Sequence, residues 1–204
     1  MNKKIIFATG NIDKMKEIRE ILADTEFDIV SMKEAGIVMN IKETGQSFAE
    51  NAMIKARAVA DVCDSIVLAD DSGLEIDYLN KEPGIYSARY MGEDTSYHIK
   101  NTSLLNRLEG VLPEDRTARF VCAIAAVFPE GDSIITQGIM EGRIGYAEQG
   151  ENGFGYDPIF CLPPYHCSTA QLSRQQKNAA SHRGQALRKM RIELLTRNQH
   201  TEEK

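Results

Sequence analysis

No window of this chain approaches the ~18 consecutive apolar residues that a membrane helix needs, so no spanning segment is expected. The opening MNKKIIFATGN sets lysines ahead of only a short apolar stretch. A signal peptide is therefore not expected, and the cytoplasm is the expected location. Cysteine is sparse: Cys63, Cys122, Cys161 and Cys167 are scattered, without the close pairs that bind structural metals, and are expected to be buried free thiols. A basic surplus is also missing. Lys and Arg number 24 against 30 Asp and Glu, a net charge of −6, which argues against a surface that displaces counterions from a nucleic-acid backbone. A small anionic ligand needs only a local cation cluster or a metal ion, so that class stays open. Internal repeats and low-complexity linkers are absent, as are the glycine spacings of the lysine-serine phosphate loop and of the dinucleotide fingerprint.

What is present suits a compact enzyme. A chain of 204 residues with 42% hydrophobic and 26% charged residues can bury a sizeable core. One domain over 1–204 is the first expectation, two lobes sharing a sheet the alternative, and the polar tail 197–204 is expected to be disordered.

Apolar and β-branched residues at Lys4–Ala8 predict a buried strand, broken by Thr9-Gly10-Asn11. A helix follows, with Asn11 or Asp13 as cap and Met15, Ile18, Ile21 and Leu22 at helical spacing. A strand is expected near Phe27–Val30. Ser47-Phe48-Ala49-Glu50 reads as a capping box opening a helix to about Asp61, with Ala49, Ala52, Met53, Ala56 and Ala60 along its packed face. Ser65–Ala69 predicts a second buried strand delivering Asp70-Asp71-Ser72-Gly73 at its carboxyl end, where open α/β sheets place ligands. A Pro-Gly loop at Glu82-Pro83-Gly84 precedes a helix beginning near Asp94 or Thr95, with Tyr97, Leu104, Leu105 and Leu108 inward. Arg119–Phe128 is apolar on both faces, which predicts a central strand, with Ser133–Ile144 as its hairpin arm. Glycine-rich residues Gly150–Asp157 suggest backbone held close to a ligand. A last helix starts near Ser181 with Ala186, Leu187, Met190 and Leu194 as its stripe.

Chemistry concentrates in a few places. Around Thr9, Gly10, Asn11 and Lys14, amides at a helix start and a lysine one turn in could take a phosphate; an ordinary Gly turn with a capping Asn is the plainer reading. Asp70 and Asp71 stand where desolvation and mutual repulsion are costly without a cation. Adjacent strand residues face opposite ways, so one acid aims at a site while the other braces a loop or caps an amide. Both acids capping the turn before Gly73 is the alternative. Such oxygen donors suit Mg²⁺, with Glu43 a candidate partner. Ser173–Lys177 and Ser181–Gly184 gather cations and His182, either as donors to carbonyl and phosphate oxygens or as a solvated basic helix end.

As a set, ATGNIDKMKEI, ETGQSFAENAMIKA, LADDSGLEID, PGIYSARY, GFGYDPIF and KNAASHRGQAL, in this order, resemble the inosine/xanthosine triphosphate pyrophosphatase family. The resemblance implies an α/β fold: a mixed central sheet flanked by helices, in two lobes with the active site in the cleft between them. It implies Mg²⁺-dependent cleavage of ITP, dITP or XTP to the monophosphate and pyrophosphate by a homodimer. It sets the triphosphate on Thr9, Gly10, Asn11, Ile12, Asp13 and Lys14, with a further contact from Lys55. Asp71 is implied as proton acceptor and metal ligand, Glu43 as a second acid at the metal, and Ser72 as a substrate contact. Phe154, Gly155, Tyr156 and Asp157 are implied to border the base, while Lys177, His182 and Arg183 read its keto oxygen and a neighbouring phosphate. Two features depart from the family's pattern: Gln175-Gln176 where acids are common, and Ala180 where a larger apolar residue stands. A pyrophosphatase for another modified nucleotide and a non-hydrolysing nucleotide-binding module are the rival readings.

Overall fold

The computed structural model describes residues 3–202, and side chains from 4 to 197. In chain order the elements are β1 (Lys3–Phe7), α1 (Ile12–Ile21), β2 (Phe27–Ser31), α2 (Phe48–Ala60), β3 (Ile66–Ile76), α3 (Tyr97–Arg107), β4 (Thr117–Val127), β5 (Ser133–Ile144), β6 (Phe160–Leu162), β7 (Cys167–Ser168), α4 (Arg174–Ala180) and α5 (His182–Glu202), with short 3₁₀ turns between some of them. The strands form one mixed sheet in the order β2-β1-β3-β4-β5-β6-β7, and the mixed α/β expectation holds. Among the described residues no helix is long and apolar enough to cross a membrane.

The chain divides into two compact units. The first comprises the chain up to Asp71, Cys122–Gly138 and the chain from His182 on; the second comprises Ser72–Val121 and Ile139–Ser181. In the first, β1 pairs in parallel with β2 and with β3, Phe7 opposite Leu68. Its core joins Ile5, Phe7, Ile18 and Leu68 to Ile124 and the α5 stripe Ala186, Leu187, Met190 and Leu194, all of which are buried. In the second, β5 pairs antiparallel with β6, and β6 with β7. Leu74, Ile76, Leu104, Leu108, Phe120 and Phe160 form its separate core.

Local rules account for the elements. Asn11 caps α1, its side-chain oxygen accepting from the amides of Asp13 and Lys14. Strand β4 is buried on both faces from Phe120 to Val127, whereas β5 alternates, burying Thr136, Gly138, Met140, Gly142 and Ile144. All four cysteines are free thiols, but only Cys122 is buried; the others are half-buried.

Several expectations need correction. Strand β3 does not end at Ala69 but runs through Asp70–Gly73 to Ile76, because both acids find cationic partners and the strand has no reason to stop. The logic of a strand end still applies to β1, whose parallel pairing stops at Phe7–Leu68 and leaves the two acids just beyond it. The Ser47 hydroxyl accepts from Glu50 as expected, but the Glu50 carboxylate takes the Gln46 amide, so the box is closed one residue earlier. The packed face of α2 is Phe48, Asn51, Ala52, Ala56 and Val59, rotated from the alanine face read in the sequence. Helix α5 continues to Glu202, through part of the polar stretch 197–204. Once started, a helix gains one hydrogen bond per residue added.

Candidate active site

Two charge clusters occupy the first unit, both centred on β3. In one, the Lys14 ammonium lies 2.9 Å from Asp70 Oδ2, and Arg183 Nε donates to the same oxygen at 3.3 Å. Arg183 Nη1 also donates to Glu17 of α1. Asp70 has no exposed side-chain surface. Burial alone would raise its pKa, but Lys14, Arg183 and Lys55 outweigh that and hold it well below the ordinary range. The same carboxylates hold Arg183 above its usual value despite complete burial. Asp70 thus braces neither a loop nor an amide; it anchors two cations from distant helices.

In the other cluster, the Lys55 ammonium bridges Glu43 Oε1 at 2.5 Å and Asp71 Oδ1 at 3.3 Å. Asn51 donates to Asp71 Oδ2 at 3.1 Å. Burial raises the Asp71 pKa, Lys55 opposes this, and Glu43 adds to it, so the net shift is upward. Lys55 is held above its usual value: burial pulls it down, but Asp71, Asp70 and Glu43 together prevail.

In the turn after β1, Asn11 is the helix cap that the plainer reading of the sequence expected. The amides of Asp13 and Lys14 are taken by Asn11, and the Asn11 amide donates to Thr9 Oγ1, because a capping side chain competes with any external anion for those donors. Gly10 has no positive φ and open space around it, so neither conformation nor packing demands glycine there. Ile12 is exposed, and Asp13 turns to Lys16. Lys14 is the member of this block that reaches the acids.

The second unit holds Ser72, in β3, and the other constellation. Asp157, buried, accepts from the Phe154 amide at 2.8 Å, from Lys177 at 2.6 Å and from Thr169. Lys177 stands 4.7 Å from the Phe154 ring centre. Tyr156 belongs to the core: its ring meets Tyr97 edge-on and its hydroxyl donates to the Ser87 carbonyl. Its hydroxyl is correspondingly pushed upward, by burial first. The glycines lie against the chain itself. A Cβ at Gly153, where φ is +77°, would fall 2.2 Å from the Asp157 carboxylate. The absence of a side chain at Gly153 thus leaves room for Asp157.

The Ham1 family profile matches residues 5–193. The chain belongs to the Ham1 family. It is 46% identical over 192 residues to a dITP/XTP pyrophosphatase of an Exiguobacterium species, covering 94% of this chain and 97% of that one. A Clostridium perfringens dITP/XTP pyrophosphatase is 46% identical over 198 residues, again covering 94% and 97%. The solved Ham1 protein of Coxiella burnetii shares 41% identity and superposes with a TM-score of 0.87, covering 95% of this chain and 99% of that one.

Among the described residues of this Ham1 chain, no three His, Cys, Asp or Glu side chains stand together as a metal site. Mg²⁺ needs only one or two carboxylates and completes its shell with water and phosphate. Glu43 and Asp71 fit that requirement, since they already share one cation, the Lys55 ammonium. Burial, and after it the nearby Glu43, disfavours the charge on Asp71, and a cation held there would offset both.

Sequence reading missed several Ham1 residues at these clusters. Glu17 is the second anchor of Arg183, and Asn51 the donor to Asp71. Gly138 admits α5: a Cβ there would lie 2.1 Å from the His182 carbonyl oxygen. An isolated glycine inside a strand and a polar residue on a helix's packed stripe were the available signals.

Proposed function

We propose that this chain hydrolyses non-standard purine nucleoside triphosphates, dITP and XTP foremost, to the monophosphate and pyrophosphate. What carries the reading is Asp71: a buried carboxylate with a raised pKa, bracketed by an amide and a lysine, beside a second acid and next to the turn after β1. The names of the relatives supply the substrate class.

In this mechanism Asp71 accepts the proton of the attacking water, its raised pKa bringing it nearer the working pH of a general base. Lys14 and Lys55 exchange part of their contact with Asp70, Asp71 and Glu43 for phosphate oxygens and offset charge developing on the leaving pyrophosphate. Thr9, Gly10, Asn11, Ile12 and Asp13 shape the turn that receives the chain of phosphates, and Ser72 contacts substrate. Mg²⁺, when bound, would be held by Glu43 and Asp71 and would neutralise and polarise the phosphoryl oxygens.

In the second unit, base recognition is assigned to Phe154, Gly155, Tyr156 and Asp157 with Lys177; in the first unit, His182 and Arg183 are assigned as donors to substrate oxygens. Donors facing a keto oxygen would be left unpaired by adenine's amino group. Each such mismatch costs about 1–3 kcal/mol, so two give discrimination on the order of a hundredfold or more. The proposed setting is a cytoplasmic homodimer clearing the nucleotide pool.

The deciding test incubates the purified chain with dITP and Mg²⁺ and identifies the phosphate product. Pyrophosphate with deoxyinosine monophosphate is expected. Orthophosphate would replace this reading with a different phosphohydrolase, and binding without any product would favour a sensor.

A further inference from the structure

We infer that Asn51 is a positioning residue that locks the two acids of the site to one another, an assignment that rests on the proposed function for its kinetic consequence but not for its geometry. Asn51 lies on the packed face of α2 and is fully buried. Its Nδ2 donates to Asp71 Oδ2 at 3.1 Å, and its Oδ1 accepts from the Gly45 amide at 2.8 Å. The orientation of the amide follows from its partners, because a carboxylate only accepts and a backbone N–H only donates.

The two bonds have different tasks. The first holds Oδ2 of Asp71, which leaves Oδ1 as the oxygen turned to the Lys55 ammonium. The second pins the backbone two residues after Glu43, whose carboxylate accepts from the same ammonium. A single rigid side chain thus spans β3 and the loop that carries Glu43, fixing the separation of the two acids. Gly45 is pressed onto it so tightly that a Cβ there would lie 2.7 Å from Asn51 Oδ1. Rigid support of this kind converts two independent carboxylates into one preorganised pair. An ordinary core position of the same size would take leucine.

Two variants separate positioning from packing. N51D keeps the acceptor for Gly45 but replaces the donor to Asp71 with a like charge; N51L keeps the branched shape and removes both bonds. For each, we would record circular dichroism, the Gly45 amide resonance in a ¹⁵N-correlation spectrum, Mn²⁺ binding to the nucleotide-free chain, and kcat and KM for dITP. N51L is expected to shift the Gly45 resonance and to weaken Mn²⁺ roughly 10–100-fold. N51D is expected to leave that resonance near its wild-type position while kcat falls about tenfold or more and KM stays within about twofold.

Folded variants with kcat and Mn²⁺ affinity within about twofold of wild type would overturn the inference. If N51L does not fold, N51D decides alone through its kcat-against-KM split. If the wild-type chain releases no pyrophosphate from dITP, the functional proposal falls, and the Gly45 resonance with Mn²⁺ binding still tests the bracket.

Discussion

Asp70 and Asp71 are chemically identical neighbours that their surroundings drive in opposite directions, down for Asp70 and up for Asp71. Cations crowd Asp70, so its charge is a structural asset. Its stabilising contribution is complete above the ordinary aspartate value of 3.8 and is lost as pH falls through the depressed native value. We predict that D70N, which strands Lys14 and Arg183 in the interior, destabilises the chain by about 3–5 kcal/mol at neutral pH. A denaturant titration of both proteins from pH 7 downward should show the gap closing only in strong acid. Asp71 behaves conversely. Its raised pKa means that the charged form is disfavoured by folding, so wild-type stability relative to D71N should decline as pH rises from 3.8 through the native value. D71N is therefore predicted to lose nearly all pyrophosphate release while unfolding at the same or higher denaturant concentration than wild type at pH 7. A D71N variant that retains turnover would remove Asp71 from the role of base.

Helices and strands were legible wherever a local rule governs them. The Asn11 and Ser47 caps, the α5 stripe and the double-sided apolar run of β4 were readable because each depends on residues a few positions apart. Continuation of β3 through Asp70 and Asp71 was not, since it rests on Lys14, Arg183 and Lys55, cations brought from other elements that no local pattern reveals. The α2 face was misread because a run of alanines looks like a packed stripe. Its true stripe contains Asn51, with Lys55 beside it half-buried, and those polar interruptions mark the site. Gly138 is the corresponding signal in β5, and it carries a prediction. With alanine there, the new methyl group would overlap the His182 carbonyl, and α5 must move off the strand. G138A should cost about 1–3 kcal/mol by denaturant midpoint. It should also lower turnover, because Arg183 begins the same helix; unchanged stability would mean that the helix start yields freely.

Over the whole molecule, the candidate residues fall into two sets that share no core. Acids and lysines suited to phosphate chemistry lie in the first unit with its β1–β3 arrangement, while the Phe154–Asp157–Lys177 constellation lies in the second with its own cluster around Phe160. The recognisable blocks in the sequence announced both sets, but not that their lysines are already paired: Lys14 with Asp70, Lys55 with Glu43 and Asp71, Lys177 with Asp157. Pairing offsets part of the desolvation cost of these buried charges and holds their side chains in place until a substrate offers other partners. Such a division predicts separable kinetic phenotypes. K55M removes the ammonium shared by the two acids and should depress kcat on dITP and dATP by the same factor, since phosphates are common to both. K177M breaks the Lys177–Asp157 pair beside Phe154 and should instead narrow the ratio of kcat/KM between dITP and dATP by roughly tenfold, the equivalent of one lost donor. Pyrophosphate release measured for both nucleotides on both variants decides the matter. A K177M enzyme slowed equally on the two bases would assign Lys177 to the phosphates and leave base selection to other residues.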